Sequence, residues 1–145
     1  MAVTLYLVQL AATGLMAGLI LFVGVVHYPL FSSVGQDAFA AYEARHQRLT
    51  SIVVMPTMLA ELATAIAALW LRPSWFSPTL AVIGLTMLAA IWASTFFVQV
   101  PLHTRLSRGF AASHHRALVV TNVARMILWP ARLVLLLYPL TAELD

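Results

Sequence analysis

Long apolar stretches alternate with short polar ones along this chain, and most of the polar residues gather in the links. A membrane span needs roughly 20 predominantly apolar residues. Four segments meet that length: about Thr4 to Val26, Ile52 to Leu71, Leu80 to Val100 and Ala117 to Leu137. The link "RPSWFSP" between the second and third is short and rich in Pro and Trp, as a tight turn at a membrane interface should be. The link after the first segment carries "GQDAFAAYEARHQRL". Its periodicity predicts an amphipathic helix over about 36–49 with Phe39 and Tyr42 on one side. That helix is expected to lie at the interface, or to extend the second span directly.

The pattern predicts an all-α integral membrane four-helix bundle forming a single domain over residues 1–145. Composition agrees. Of the 145 residues 62% are hydrophobic and only 9% charged, and the mean hydropathy is +0.92. A soluble domain is about a quarter charged, so this surface is built for lipid. Cysteine is absent, which excludes disulfides, thiolate metal sites and Cys nucleophiles. The first apolar run lacks a basic leader and continues into His27-Tyr28-Pro29, so it reads as a retained span. The basic pI comes from few charges without a basic stripe, so no nucleic-acid partner is expected. Membrane lipid and a hydrophobic small molecule are the expected partners, and a homo-oligomer is compatible with such a bundle.

Parity organises the links. Successive spans alternate direction, so the end of span one, the start of span two, the end of span three and the start of span four share one membrane face. His27, Glu43, His46, His103, His114 and His115 all fall there, with Arg45, Arg48, Arg105, Arg108 and Arg116. The positive-inside rule makes that face cytoplasmic and both termini external, in a cell inner (plasma) membrane. The acidic tail "AELD" does not contradict this orientation.

The halves also resemble each other. "HYPLF" closes span one and "QVPLH" closes span three, matching Pro29 with Pro101; "FAAYEAR" (39–45) matches "FAASHHR" (110–116). Two repeated helical hairpins would pack about an axis along the membrane normal.

Two groups of polar residues suggest chemistry. Glu43-x-x-His46 has the spacing that puts a carboxylate and an imidazole on one helix face. With His27 and His103 they form a candidate metal set that suits Fe, Cu or Zn, with haem left open. No nucleotide-binding loop is present, so no nucleotide cofactor is expected. Deeper, Glu61 lies near the midplane of span two, where an unpaired carboxylate costs several kcal/mol. Arg125 on span four is its expected partner, with Arg132 expected to snorkel to the far interface. Asn122, Arg125 and Trp129 share a face, and Trp92, Thr95 and Gln99 make a similar stripe on span three. Glu61, Asn122 and Arg125 are therefore candidate catalytic or substrate-orienting residues. Glu61 and the Glu43–His46 pair can share a site only if span two bends; otherwise there are two clusters.

The segments "FVQVPLHTRLS" and "RALVVTNVARMILWPARLVLLL" resemble the corresponding part of a family of small four-span membrane proteins that includes the anthrone oxygenases. There a proline-containing segment closes span three and an Asn-x-x-Arg element opens span four; the matching positions are Pro101, Asn122 and Arg125. The resemblance covers the last third of the chain. It implies oxidation of a lipophilic aromatic or related molecule that enters from the bilayer.

The leading expectation is a small membrane-embedded oxidoreductase or oxygenase with a metal on His27, Glu43, His46 and His103. The first alternative is a metal-free isomerase, cyclase or hydrolase using Glu61 or His as acid and base. The second is a non-enzymatic lipid-binding or assembly protein whose Arg-rich links meet anionic headgroups.

Overall fold

The computed structural model describes residues 1–144, and the side chains of residues 1–141. The side chains of the acidic tail lie outside that range. The described chain is an all-α four-helix bundle: α1 (Ala2–Ser33), α2 (Gln36–Ala67), α3 (Pro78–Leu106) and α4 (Ala112–Leu144). All four helices are long and apolar enough to cross a membrane.

Each helix is longer than its apolar run, and for residues 36–49 the structure follows the second of the two expectations, a direct extension of the second span. That stretch does not lie apart at an interface; it is the first half of α2, unbroken to Ala67. Its sidedness explains why. Phe39, Glu43 and His46 recur at helical spacing and turn inward, with Phe39 and Glu43 fully buried. Arg45 and Arg48 stay exposed on the other side.

Both outgoing helices, α1 and α3, contain a π turn just ahead of a proline. In α1 it spans Val23–His27 before Pro29; in α3 it spans Thr95–Gln99 before Pro101. Proline has no N–H, and its ring collides with the carbonyl four residues back. That carbonyl belongs to Val25 or Phe97, inside the widened turn in each case. The extra residue lets the helix continue past the proline and rotates the segment beyond it. The two devices occupy matching positions in the two hairpins, which gives the internal repeat a structural counterpart.

The ends are set by local chemistry. The Ser77 side chain accepts a hydrogen bond from the Leu80 N–H, capping α3, with Pro78 in its first turn. Gly109, in the α3–α4 link, has φ 139°, a conformation that disfavours any side chain. At Gly24 a Cβ would collide with Met126 Sδ and lie 2.9 Å from Asn122 Nδ2, so this glycine permits the close approach of α1 and α4.

The core stacks in three layers. Phe31, Phe39, Leu102, Leu106 and Leu118 fill the His-rich end. Met16, Ile20, Met58, Ile91 and Trp129 fill the middle. Tyr6, Phe76 and Leu136 close the far end, where Phe76 from the α2–α3 turn packs edge-on against Tyr6 at 5.0 Å. Helix α1 packs closely on α2 and α4, and α3 on α4; of these neighbouring pairs around the bundle, α2 and α3 pack most loosely.

Candidate functional site

The loose seam between α2 and α3 opens into a cavity of about 240 Å³. Its mouth is marked by exposed Ser51 on α2 and by Phe96 and Val100 on α3. The walls toward the bundle centre are apolar, with Met16, Ile20, Met55, Met58 and Trp129. The end toward the His-rich links is polar: Tyr28, His46, Gln47, Thr50, Gln99, His103 and Arg125.

At that polar end four side chains from four helices form one continuous chain. Glu43 Oε1 accepts from His103 Nδ1 at 2.5 Å. His103 Nε2 meets the Tyr28 hydroxyl at 2.9 Å. Arg125 Nη2 donates to the Tyr28 oxygen at 3.4 Å. One placement of protons satisfies every link without charging the ring. The carboxylate and the guanidinium keep their charges, His103 is neutral with its proton on Nδ1, and the phenol donates to Nε2. Such an arrangement follows the logic of a carboxylate–imidazole–hydroxyl triad, with a phenol in the hydroxyl position. The π turn in α1 directly precedes Tyr28 and sets its direction. His115 Nε2, 2.8 Å from the Tyr28 carbonyl, fastens the same residue from α4.

Arg125 is held by neutral groups. Asn122 Oδ1 accepts from its Nε at 3.0 Å and its Nη2 at 2.5 Å. Gln99 Oε1 accepts from Nη2 at 3.2 Å, and Thr95 Oγ1 meets Nη1 at 3.4 Å. Thr95 and Gln99 bracket the π turn of α3, so both widened turns feed the same site. Asn122 acts through Arg125 and does not itself line the cavity.

The four expected metal ligands do gather at this end, but as two hydrogen-bonded pairs. Glu43 binds His103, while His27 Nε2 lies 2.9 Å from His46 Nδ1. Thr50 Oγ1 also approaches His46 Nδ1, at 3.2 Å. The nitrogen and oxygen atoms that would face a metal hydrogen-bond one another instead. Among the described residues no group of three or more His, Cys, Asp or Glu side chains could hold a metal ion. The donor set therefore does not fit the expected Fe, Cu or Zn site on His27, Glu43, His46 and His103.

Glu61 departs further from expectation. It is fully buried and pairs with Arg132, whose Nη1 donates at 2.6 Å, and not with Arg125. Thr13 donates to Oε1 at 2.8 Å and Trp129 Nε1 to Oε2 at 3.0 Å. Arg132 also donates to Thr13 and, through Nε, to the Gly84 carbonyl at 3.1 Å. Arg132 is fully buried, so it does not snorkel. The network ties all four helices together with both carboxylate oxygens occupied, and Glu61 does not line the cavity. This is the geometry of an interhelical clamp, set apart from the cavity. Two separate clusters result, because α2 continues as one helix from Gln36 to Ala67 and sets His46 and Glu61 about 22 Å apart along it.

Tyr28 is the member of the site that residue patterns alone do not single out. In the sequence it reads as an aromatic at the membrane boundary. Its signal is the neighbouring "HYP", whose proline forces the helix before it to widen.

No family model matches the chain, and neither any curated protein nor any solved structure matches it.

Proposed function

We propose that the protein is a membrane-embedded enzyme that moves a proton on a lipophilic small molecule, in the class of isomerases and cyclases. One observation carries this: the unbroken chain Glu43–His103–Tyr28–Arg125, whose last three members line a cavity that opens at the α2–α3 seam. His103 takes the phenol proton, Glu43 stabilises the imidazolium that forms, and Arg125 stabilises the phenolate. Tyr28 then serves as base toward a substrate C–H or O–H, and returns the proton as acid. The apolar walls keep water away, which strengthens each charge effect.

A second function, oxidation of a lipophilic aromatic by dioxygen, which takes the electrons of the carbanion left by the same proton removal, is favoured by one fact. Asn122 and Arg125, which carry the resemblance to the anthrone oxygenase family, stand together beside Tyr28. In either case the arginine balance supports a cytoplasmic His-rich end in a plasma membrane, with both termini on the other side.

The test is isotope exchange. Purified protein in lipid nanodiscs is incubated in D2O with lipophilic carbonyl compounds bearing enolisable C–H bonds, acids among them. Deuterium uptake is followed by mass spectrometry. Catalysed exchange that disappears in Tyr28→Phe and His103→Gln supports the assignment. Exchange that is equal in wild type and both variants contradicts it.

A further inference from the structure

The two buried carboxylates with described partners are both taken: Glu43 by His103 and Glu61 by Arg132. Arg125 makes no ion pair among the described residues, although it is only 6% exposed. Every partner of its guanidinium is neutral: Asn122, Gln99, Thr95 and Tyr28. Its position is deep. Arg125 lies about 20 Å from the start of α4 at 1.5 Å per residue. A guanidinium at such depth is expensive unless it meets an anion or marks a ligand path. The charge of Glu43 reaches it only through an imidazole and a phenol.

The space in front of Arg125 is shaped for an amphiphile. Beyond the polar end the cavity is lined by Met16, Ile20, Val54, Met55 and Met58, flexible or aliphatic side chains that accept a hydrocarbon. Its volume of about 240 Å³ is below the roughly 300–1,000 Å³ of drug-sized sites, so the ligand is compact or leaves its tail in the lipid. The mouth between α2 and α3 provides that exit.

We infer that this cavity binds a compact lipophilic monoanion with a carboxylate-type head, which enters from the bilayer between α2 and α3 and sets its oxygens against Arg125. A planar carboxylate matches the guanidinium fork. This names the substrate class for the function proposed above, and rests on it for the ligand's reaction beside Tyr28; the binding itself does not require catalysis.

The test uses the full chain in nanodiscs of zwitterionic phosphatidylcholine, with decanoate as probe and methyl decanoate as its neutral counterpart. Calorimetric titration should give one decanoate per chain, with the ester about 30-fold weaker for want of a charge-assisted hydrogen bond. Arg125→Gln should weaken decanoate by about the same factor, while Arg125→Lys stays within about tenfold. Met55→Trp fills the cavity without touching Arg125 and should abolish binding even where Arg125→Gln fails to fold. Tyr28→Phe should bind within about threefold of wild type, since a neutral contact is worth little. Lost exchange with retained binding in that variant separates failure of the reaction from failure of the ligand assignment. Equal affinity for acid and ester, or decanoate binding that survives Met55→Trp and Arg125→Gln, overturns the inference. So does displacement of decanoate by phosphatidylglycerol in the disc, which would assign Arg125 to a lipid headgroup.

Discussion

The Tyr28 hydroxyl lies 2.9 Å from His103 Nε2, joining residues 75 positions apart in the chain. The contact exists because α1 and α3 each widen before a proline and present these residues to each other across the bundle. It is also the contact across which the proposed transfer of the phenol proton to His103 runs.

Removing the hydroxyl alone separates catalysis from folding. Tyr28→Phe keeps the ring and its packing against Phe31 at 5.4 Å. It leaves His103 Nε2 unsatisfied at a cost of about 1–3 kcal/mol. Exchange activity should fall by about 10²–10⁴-fold. Thermal melting beside deuterium uptake checks both; activity that falls only in step with the folded fraction would remove Tyr28 from the chemistry.

The clamp behaves oppositely. Glu61→Gln leaves Arg132 charged and buried without its carboxylate, and should destabilise the bundle by about 3–5 kcal/mol. The double variant Glu61→Gln/Arg132→Met removes both charges and should lose less than the sum of the two single changes. Unfolding in mixed micelles measures the coupling. Additive losses would show that the pair holds nothing together.

Metal content offers an independent check. Because His27 pairs with His46 and Glu43 with His103, purified protein should carry Fe, Cu and Zn well below one per chain. His46→Ala should leave those amounts unchanged. Stoichiometric metal that disappears in His46→Ala would mean that the pairs reopen around an ion.

Gly24 gives a packing test. A methyl there meets Met126 and Asn122, so Gly24→Ala should cost about 1–3 kcal/mol by overpacking. Met126→Ala makes room and should restore much of the loss, as read from melting temperatures. A neutral Gly24→Ala would show that α1 and α4 can part freely.

The four helices and the gathering of histidines were legible because hydropathy and alternating direction decide both. The inward face of Asn122 and Arg125 was legible from helical spacing. The partner of Glu61 was not, and the reason is where depth is counted from. α2 starts at Gln36 and α4 at Ala112, both well before their apolar runs. Counted from those starts on two helices that leave the same end, Glu61 lies about 37 Å along, Arg132 about 30 Å and Arg125 about 20 Å. Arg132 is the nearer in level. The pairing of the histidines with one another was hidden for a different reason. Residue types announce metal-ligating capacity, but convergence of lone pairs depends on ring orientation, and here hydrogen bonds to Glu43, Tyr28 and Thr50 and between His27 and His46 hold the rings.

The protonation state of His103 tests the central claim most directly. Nitrogen-15 chemical shifts of selectively labelled histidine, assigned to His103 by comparison with His103→Gln, report which ring nitrogen carries the proton. In the ligand-free protein the chain from Glu43 to Arg125 predicts a neutral ring protonated at Nδ1, moving toward the other tautomer in Glu43→Gln. A ring protonated at Nε2 in the wild type, or one that does not respond to Glu43→Gln, would contradict it.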